Sequence, residues 1–316
     1  MKTALILGAS GQTGAYLSRL LIGQGYRVVG TSRNWSESQT WRLKRLDVLN
    51  DLSRVSLSLH DSLAIEETLE ASQPDEIYYL AGPSSVAASF REPAVSMSEI
   101  FDPVVTILEL LKRRNSTAHF VNAASTDCFG NQSGTVLDET SDMRPVSPYG
   151  IAKTATYWTT QNYREAFGVS ARNAILTNHE SPLRGHDFVT QKIISGLRAI
   201  RNNEQSTLAL GNTAVARDWL WADDVAQTLH LLGSASDASD YVVASGATST
   251  LKSFAELACA EFGLDPTQVL SHEPSLNRPL EIESVRLSPA KITDEFGWEP
   301  STDIAGIVRR LVQDQA

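Results

Sequence analysis

A tyrosine and a lysine stand four residues apart in Pro148-Tyr149-Gly150-Ile151-Ala152-Lys153. On a helix that spacing places both on one face, a turn apart. An ammonium beside a phenol favours the phenolate and draws its pKa down from about 10 toward neutrality. Such a tyrosine can take the proton of an alcohol while hydride leaves the same carbon. Tyr-x-x-x-Lys also arises by chance, so its weight depends on what accompanies it. Upstream, Phe120-Val121-Asn122-Ala123-Ala124 reads as a central strand, followed by Ser125-Thr126-Asp127, two hydroxyls and a carboxylate just past its carboxyl end. Ligands of open α/β sheets bind outside that edge. The same tripeptide serves equally well as a turn or helix cap.

Near the start, Leu7-Gly8-Ala9-Ser10-Gly11-Gln12-Thr13-Gly14 carries glycines three apart, after an apolar run and at the opening of a helical pattern. Without Cβ atoms the turn closes and a pyrophosphate can approach the backbone and the helix N-terminus. That context, more than the glycines alone, reads as dinucleotide binding. At the end of the second apolar run, a carboxylate would accept from a ribose 2′-hydroxyl, whereas an arginine favours a 2′-phosphate. The residues there are Gly30-Thr31-Ser32-Arg33-Asn34, with one arginine and no carboxylate. The expected cofactor is therefore NADP, with Arg33 on its phosphate, although a surface arginine is also ordinary in solvent.

These groups need a scaffold. Ala4–Leu7, Arg27–Gly30, Glu76–Leu80, Ala118–Ala124 and Ala171–Leu176 are short apolar runs suited to strands buried on both faces. Between them lie helical patterns: one with Leu17, Leu20 and Leu21 on a face, one over Ser62–Ser72, and one over about Pro93–Arg114. Pro103 inside the third should kink or divide it. The alternation predicts a doubly wound parallel α/β sheet. Further on, Tyr241–Ala244 reads as a strand, Ser249 or Thr250 as the cap of a helix bearing Leu251, Phe254, Leu257 and Phe262, and Thr302–Gln313 as a helix. The expected division is a dinucleotide-binding domain over 1–177 with about 211–240, and a smaller interleaved C-terminal α/β substrate domain over about 178–210 and 241–316.

Composition narrows the function. The chain has 316 residues and a formal charge of −10, with no basic run, which disfavours a nucleic-acid partner. No apolar stretch approaches the ~18 residues of a membrane span, and the apolar run at the start is too short for a secretory signal, so a cytoplasmic protein is expected. Cys128 and Cys259 are too isolated for a disulfide framework or thiolate metal site. His60, His119, His179, His186, His230 and His272 lack the spacing of a zinc helix, and no metal is expected.

The sequence resembles the extended short-chain dehydrogenases, whose glycine loop has the G-x-x-G-x-x-G form, and within them the GDP-mannose 4,6-dehydratase family. The most specific segment is Asn178-His179-Glu180-Ser181-Pro182-Leu183-Arg184-Gly185 followed by Phe188-Val189-Thr190-Gln191-Lys192-Ile193. Supporting segments are Glu76–Leu80, Ser147–Lys153, Asn162–Ala166, Leu210-Gly211-Asn212 with Arg217-Asp218-Trp219, and Arg278-Pro279-Leu280-Glu281. The similarity runs from residue 3 to about residue 312.

The resemblance implies a lyase with an internal redox cycle on GDP-mannose or a related GDP-sugar. Hydride leaves C4 of the hexose for NADP while Tyr149 takes the hydroxyl proton; a carboxylate then removes the C5 proton, water leaves from C6, and hydride returns there. Ser125 takes the place of the family's threonine on the C4 oxygen, Asp127 that of its glutamate base, and Lys153 tunes Tyr149 and binds the nicotinamide ribose. Cofactor positions so implied are Gly8, Gly11, Gln12, Thr13, Gly14, Arg33, Leu59, Leu80, Ala81, Tyr149, Lys153, His179 and Arg184, the last facing either substrate or a neighbouring subunit's cofactor. Substrate positions are Ser84, Asn178, Val189, Lys192, Arg217, Arg278 and Glu281, whereas Trp219 and Trp221 suit the core better than base stacking.

The sequence also departs from the pattern. Asp127 is one methylene short, which withdraws the carboxylate by ~1.5 Å, and misplacement by about 1 Å can cost ~10²-fold in rate. Ser125 lacks the methyl that restricts a threonine rotamer. Leu183 and Gln191 replace arginines, and Ser58 stands where an acidic residue contacts adenine. A 4-ketoreductase or 4-epimerase that makes no use of Asp127 is the alternative enzyme; a regulatory NADP-binding module is the non-enzymatic one. The family also implies a homodimer built on the third helix and a Tyr149–Phe167 helix, or a homotetramer that uses a loop at about Asn34–Arg42, only partly similar here.

Overall fold

The protein, described over residues 1–314 by a computed structural model, forms its strands where the apolar runs lie. In chain order they are β1 (Thr3–Leu7), β2 (Arg27–Ser32), β3 (Ser53–Ser56), β4 (Glu76–Tyr79), β5 (His119–Ser125) and β6 (Val136–Leu137). Then follow β7 (Ala171–Leu176), β8 (Asn178–Glu180), β9 (Leu208–Leu210), β10 (Ala216–Trp221), β11 (Tyr241–Val243) and β12 (Thr248–Thr250). Helices α1 (Gln12–Gly23), α2 (Glu37–Arg45), α3 (Ser62–Ser72), α4 (Val86–Arg91) and α5 (Pro93–Arg113) occupy the first part. After them come α6 (Pro148–Phe167), α7 (Val189–Arg201), α8 (Ala222–Ser234) and α9 (Leu251–Phe262).

Seven strands pair in the order β11-β7-β5-β4-β1-β2-β3, all parallel. Alternate strand residues feed two cores. Ala4, Ile6, Val28, Tyr78 and Val121 face Leu17 and Leu21 of α1 and Val225 and Leu229 of α8. Leu5, Leu7, Val29, Ile77 and Phe120 face Ile65 of α3 and Val104, Ile107 and Leu108 of α5. Each fully buried aliphatic side chain favours folding by about 1.5–3 kcal/mol. The connections reverse direction between β1 and β4, and the crevice over their carboxyl ends is where such sheets take ligands.

The second unit is a small sheet in which β10 pairs parallel with β8 and antiparallel with β12. Its core joins Trp219 and Leu210 to Ile193 and Leu197 of α7, Phe254 and Ala258 of α9, and Ile307 and Leu311 of the C-terminal helix Ile304–Gln313. Thr250, not Ser249, caps α9 by accepting from the Ser253 amide at 3.0 Å.

Four details differ from the sequence reading. Ser53–Ser56 is a strand despite its single apolar residue, because an edge strand needs little burial. The long helix α5 continues through Pro103 as one element, with the proline buried. Tyr241–Val243 lies in the large sheet beside β7, because all three residues are buried there, while β10, from the stretch assigned to the larger domain, is central to the small sheet. The expected loop at Asn34–Arg42 is helical from Glu37 onward.

Candidate active site

The first glycine turn closes over β1. Gly8 adopts φ +95°, and a Cβ there would lie 3.0 Å from the Ala81 backbone. At Gly14 a Cβ would lie 2.3 Å from the Gly8 carbonyl oxygen and 2.7 Å from the Ala9 Cα, so only glycine lets α1 approach the turn. Helix α1 starts after Gly11 without a side-chain cap, leaving its first-turn amides for an anion. Gln12 and Thr13 lean instead on β8. Gln12 Nε2 donates to the His179 carbonyl at 3.0 Å, and Ser181 Oγ donates to Gln12 Oε1 at 2.8 Å. His179 Nδ1 lies 2.9 Å from the Thr177 carbonyl, which fixes the tautomer whose Nε2 accepts from Thr13 Oγ1 at 2.8 Å. Burial pulls the His179 pKa down to about 4, so this imidazole stays neutral.

The second cluster forms where β5 ends beneath the start of α6. Ser147 caps α6 by accepting from the Gly150 amide at 3.0 Å, and Ser89 of α4 accepts from the Tyr149 amide at 3.2 Å. Ser125, the last residue of β5, accepts from the Asp127 amide at 3.2 Å and donates to Asp127 Oδ2 at 3.3 Å. Lys153 Nζ donates to the Ala123 carbonyl at 2.7 Å and lies 5.9 Å from the centre of the Tyr149 ring. Ser125, Tyr149 and Lys153 are all buried, and Asp127 is half-buried.

Electrostatics here correct one expectation. Burial and then the Asp127 carboxylate push the Tyr149 phenol above its ordinary range; Ser125 and the Arg184 guanidinium pull weakly the other way. Lys153, whose own ammonium is drawn down to about 8 by burial, does not offset that rise in this arrangement. Burial also raises Asp127, against the attraction of Arg217 and Arg278. Those two cations share one carboxylate: Arg217 Nη2 and Arg278 Nη1 lie 2.9 and 3.1 Å from Glu281 Oε1.

Other predicted positions divide between those the structure gathers and those it leaves apart. Arg184 stacks 3.8 Å from the Phe188 ring centre and donates at 2.9 Å to the His179 carbonyl, the same oxygen that Gln12 of the glycine turn bonds. Leu80 and Ala81 sit at the crevice, where Leu80 N donates to the Leu7 carbonyl at 3.0 Å. Arg33 is exposed and forms no ion pair among the described residues. Lys192 and Ser84 are exposed, and Leu59, Asn178 and Val189 are half-buried, with no side-chain bond tying them to either cluster among the described residues. Leu183 is buried in the core, and Gln191 donates to the Ser181 carbonyl at 2.9 Å, so both replacements serve packing. Trp219 is buried against Phe254, whereas Trp221 is half-buried beneath Arg310.

Arg42 was missed by the sequence reading. It donates to the Leu183 carbonyl at 2.8 Å and to the Ser10 carbonyl at 3.5 Å, bracing the phosphate turn from α2. Nothing in its surface-like helix marks it. Ser89 was missed as well, for the same lack of pattern.

The strand order, the glycine turn at the reversal and the Ser125-Tyr149-Lys153 cluster define an extended short-chain dehydrogenase. A profile of GDP-mannose 4,6 dehydratase matches residues 5–311. The chain belongs to that family, and so to the hydro-lyases of the superfamily. It is 33% identical over 323 residues to GDP-mannose 4,6 dehydratase 1 of Arabidopsis thaliana, covering 99% of this chain and 89% of that protein. Among solved structures, dTDP-glucose 4,6-dehydratase from Bacillus anthracis, in complex with NAD, superposes with a TM-score of 0.86 at 15% identity, covering 99% and 96% of the two chains. RMD from Pseudomonas aeruginosa, complexed with NADPH, gives 0.82 at 22% identity, covering 99% and 98%.

Proposed function

We propose that this protein converts GDP-mannose to GDP-4-keto-6-deoxy-mannose with NADP as its resident cofactor. The observation that carries the reading is Asp127, a carboxylate held by Ser125 at the end of β5 and within electrostatic reach of Tyr149, Arg217 and Arg278. A ketoreductase or epimerase needs no such base. The glycine turn fits a dinucleotide, since the room that Cβ atoms would fill at Gly8 and Gly14 is what a pyrophosphate approach requires. When bound, the nicotinamide ring accepts and later returns one hydride, and its positive charge favours the phenolate of Tyr149.

Tyr149 takes the proton of the C4 hydroxyl, and Ser125 hydrogen-bonds the same oxygen. Lys153 holds the nicotinamide ribose and supplies cationic charge near the phenol. Asp127 removes the C5 proton, made acidic by the neighbouring ketone, while the C6 hydroxyl leaves as water with the proton that Tyr149 took from C4. As hydride enters at C6, Asp127 returns its proton to C5. Arg217 and Arg278 receive the diphosphate, with Glu281 orienting them and facing a ribose. Incubation with GDP-mannose and NADP is expected to yield the 4-keto-6-deoxy sugar without net NADPH. No such product, with NADPH consumed on adding a 4-keto sugar, would shift the assignment to a reductase.

Two cofactor predictions follow from the turn and from β2. Gly14→Ala is expected to raise the NADP Kd more than tenfold in fluorescence titration, because the added methyl displaces α1 from the turn. Arg33→Ala is expected to weaken NADP by about 1–3 kcal/mol, the range of a charge-assisted hydrogen bond, while leaving NAD binding unchanged. Equal losses for both nucleotides would remove the 2′-phosphate from Arg33.

A homodimer is supported by apolar side chains left exposed on the two helices that the family pairs: Val95 and Met97 on α5, and Ile151, Trp158 and Phe167 on α6. No helix among the described residues is long and apolar enough to cross a membrane. The buried free thiols Cys128 and Cys259 suit a reducing cytoplasm, and the net charge of −10 supports no nucleic-acid partner.

A further inference from the structure

Two asparagines lie inside largely apolar buried strands, Asn122 in β5 and Asn173 in β7 beside the buried Arg172, and neither is solvent-accessible. They are register partners on adjacent strands, and Asn122 Nδ2 donates to Asn173 Oδ1 at 2.8 Å. Asn173 donates twice to Asp240 Oδ1, from its amide nitrogen at 2.8 Å and from Nδ2 at 3.0 Å, and also to the Tyr157 carbonyl at 3.2 Å. Arg164 grips both oxygens of Asp240 at 2.8 and 2.9 Å. At the other end Asn122 Nδ2 donates to Thr156 Oγ1 at 3.2 Å, and that hydroxyl donates to the Lys153 carbonyl at 2.8 Å.

Helix α6 is thus fastened at two heights: by Arg164 near its end, and by Thr156 and the adjacent Tyr157 carbonyl about one turn past Lys153. Buried polar groups of this kind add little net stability compared with well-packed apolar residues. Their directional bonds do fix register, since a sliding helix would leave several buried donors unpaired at once. The need for register is plain at this helix. Tyr149 and Lys153 both ride on α6, whereas Ser125 and Asp127 ride on β5 and the turn that follows it, so the cluster holds together only while the two elements keep their relative position. A displacement of about 1 Å in such a cluster can cost ~10²-fold in rate.

We infer that the Arg164–Asp240–Asn173–Asn122–Thr156 chain is a positioning device for catalysis, setting Tyr149 and Lys153 against Ser125 and Asp127. Thr156 is its terminal positioning residue. The inference rests on the dehydratase reading for its kinetic test but not for its structural one.

The test compares Thr156→Val, which keeps the shape and removes the hydroxyl, with Thr156→Ser, which restores it. With GDP-mannose, the valine variant is expected to lose at least tenfold in kcat with KM within twofold. Its deuterium isotope effect, with substrate labelled at C4, should rise as hydride transfer becomes limiting. The serine variant should recover kcat to within twofold. Wild-type kcat and isotope effect in the valine variant, or equal impairment in both variants, would overturn the inference. Thr156→Ala undergoes the same comparison if the valine variant does not fold. Hydrogen exchange gives a readout independent of turnover: amides of 148–157 should exchange faster in the valine variant, at wild-type rates in the serine variant, and without change in α1. If wild-type protein leaves GDP-mannose untouched, the dehydratase reading fails and the exchange result alone decides on the clamp, unaltered exchange rejecting it.

Discussion

Tyr149→Phe is expected to lower kcat for GDP-mannose dehydration by about 10³-fold, within the 10²–10⁴ range of a lost general acid–base, while leaving the NADP Kd within threefold. The substitution removes one oxygen and keeps the ring that packs with Ile100 and Ala152. Tyr149 takes the C4 proton in this reading, because the Lys153 ammonium has no lone pair to accept it, Ser125 is too weak a base, and Asp127 acts at C5. Burial and Asp127 hold Tyr149 above its usual range in the protein alone, so the pH profile carries a second expectation. The alkaline rise in kcat/KM should disappear in the phenylalanine variant. Single-turnover absorbance of NADPH is the measurement. Tyr149→Phe that still reduces NADP at the wild-type rate would remove the tyrosine from the oxidation step.

Much of this site lay open in the sequence because its parts follow local rules. Helix α3 begins and ends at Ser62 and Ser72, as its periodicity requires, and Gly8, Gly11 and Gly14 mark a turn whose sterics depend on residues only a few positions apart. The Tyr149–Lys153 pair needed only one helical turn. What was not legible depends on contacts between distant residues. Arg217 and Glu281 are 64 positions apart, and their ion pair exists only because β10 and the Arg278–Glu281 segment meet. Arg42 reaches Leu183 across 141 positions. The sign of the Tyr149 shift was misjudged for a related reason: spacing reveals that an ammonium is near, but not how much water the fold has removed from both groups. The buried asparagines did leave a trace. A polar amide inside Phe120–Ala124 or Arg172–Leu176 conflicts with a strand covered on both faces, and the conflict marks a buried partner that sequence alone cannot name.

Asp127→Asn is expected to abolish C5 deuterium exchange and reduce dehydration by about 10³-fold, while NADP binding and the first C4 oxidation persist. The amide keeps the size and can still accept from Ser125 Oγ through its oxygen, so the local turn survives. It cannot take a proton. The variant should therefore accumulate bound NADPH after adding GDP-mannose, where wild-type protein shows none at steady state. The acid limb of wild-type activity supplies the sign. Burial raises the Asp127 pKa, and Arg217 and Arg278 hold it partly down. As pH falls through that raised value the base becomes protonated, so dehydration should fail at a higher pH than an ordinary carboxylate near 4 would allow. Arg217→Ala should move this limb further up, because one of the two opposing cations is gone, and raise KM as the diphosphate loses a contact. An acid limb at the ordinary carboxylate position, unmoved by Arg217→Ala, would place the base elsewhere, as would full C5 exchange in Asp127→Asn. Asp127→Glu separates reach from charge: recovery of exchange at or above the wild-type rate would show that the missing methylene, not the surrounding field, limits this enzyme's dehydration step.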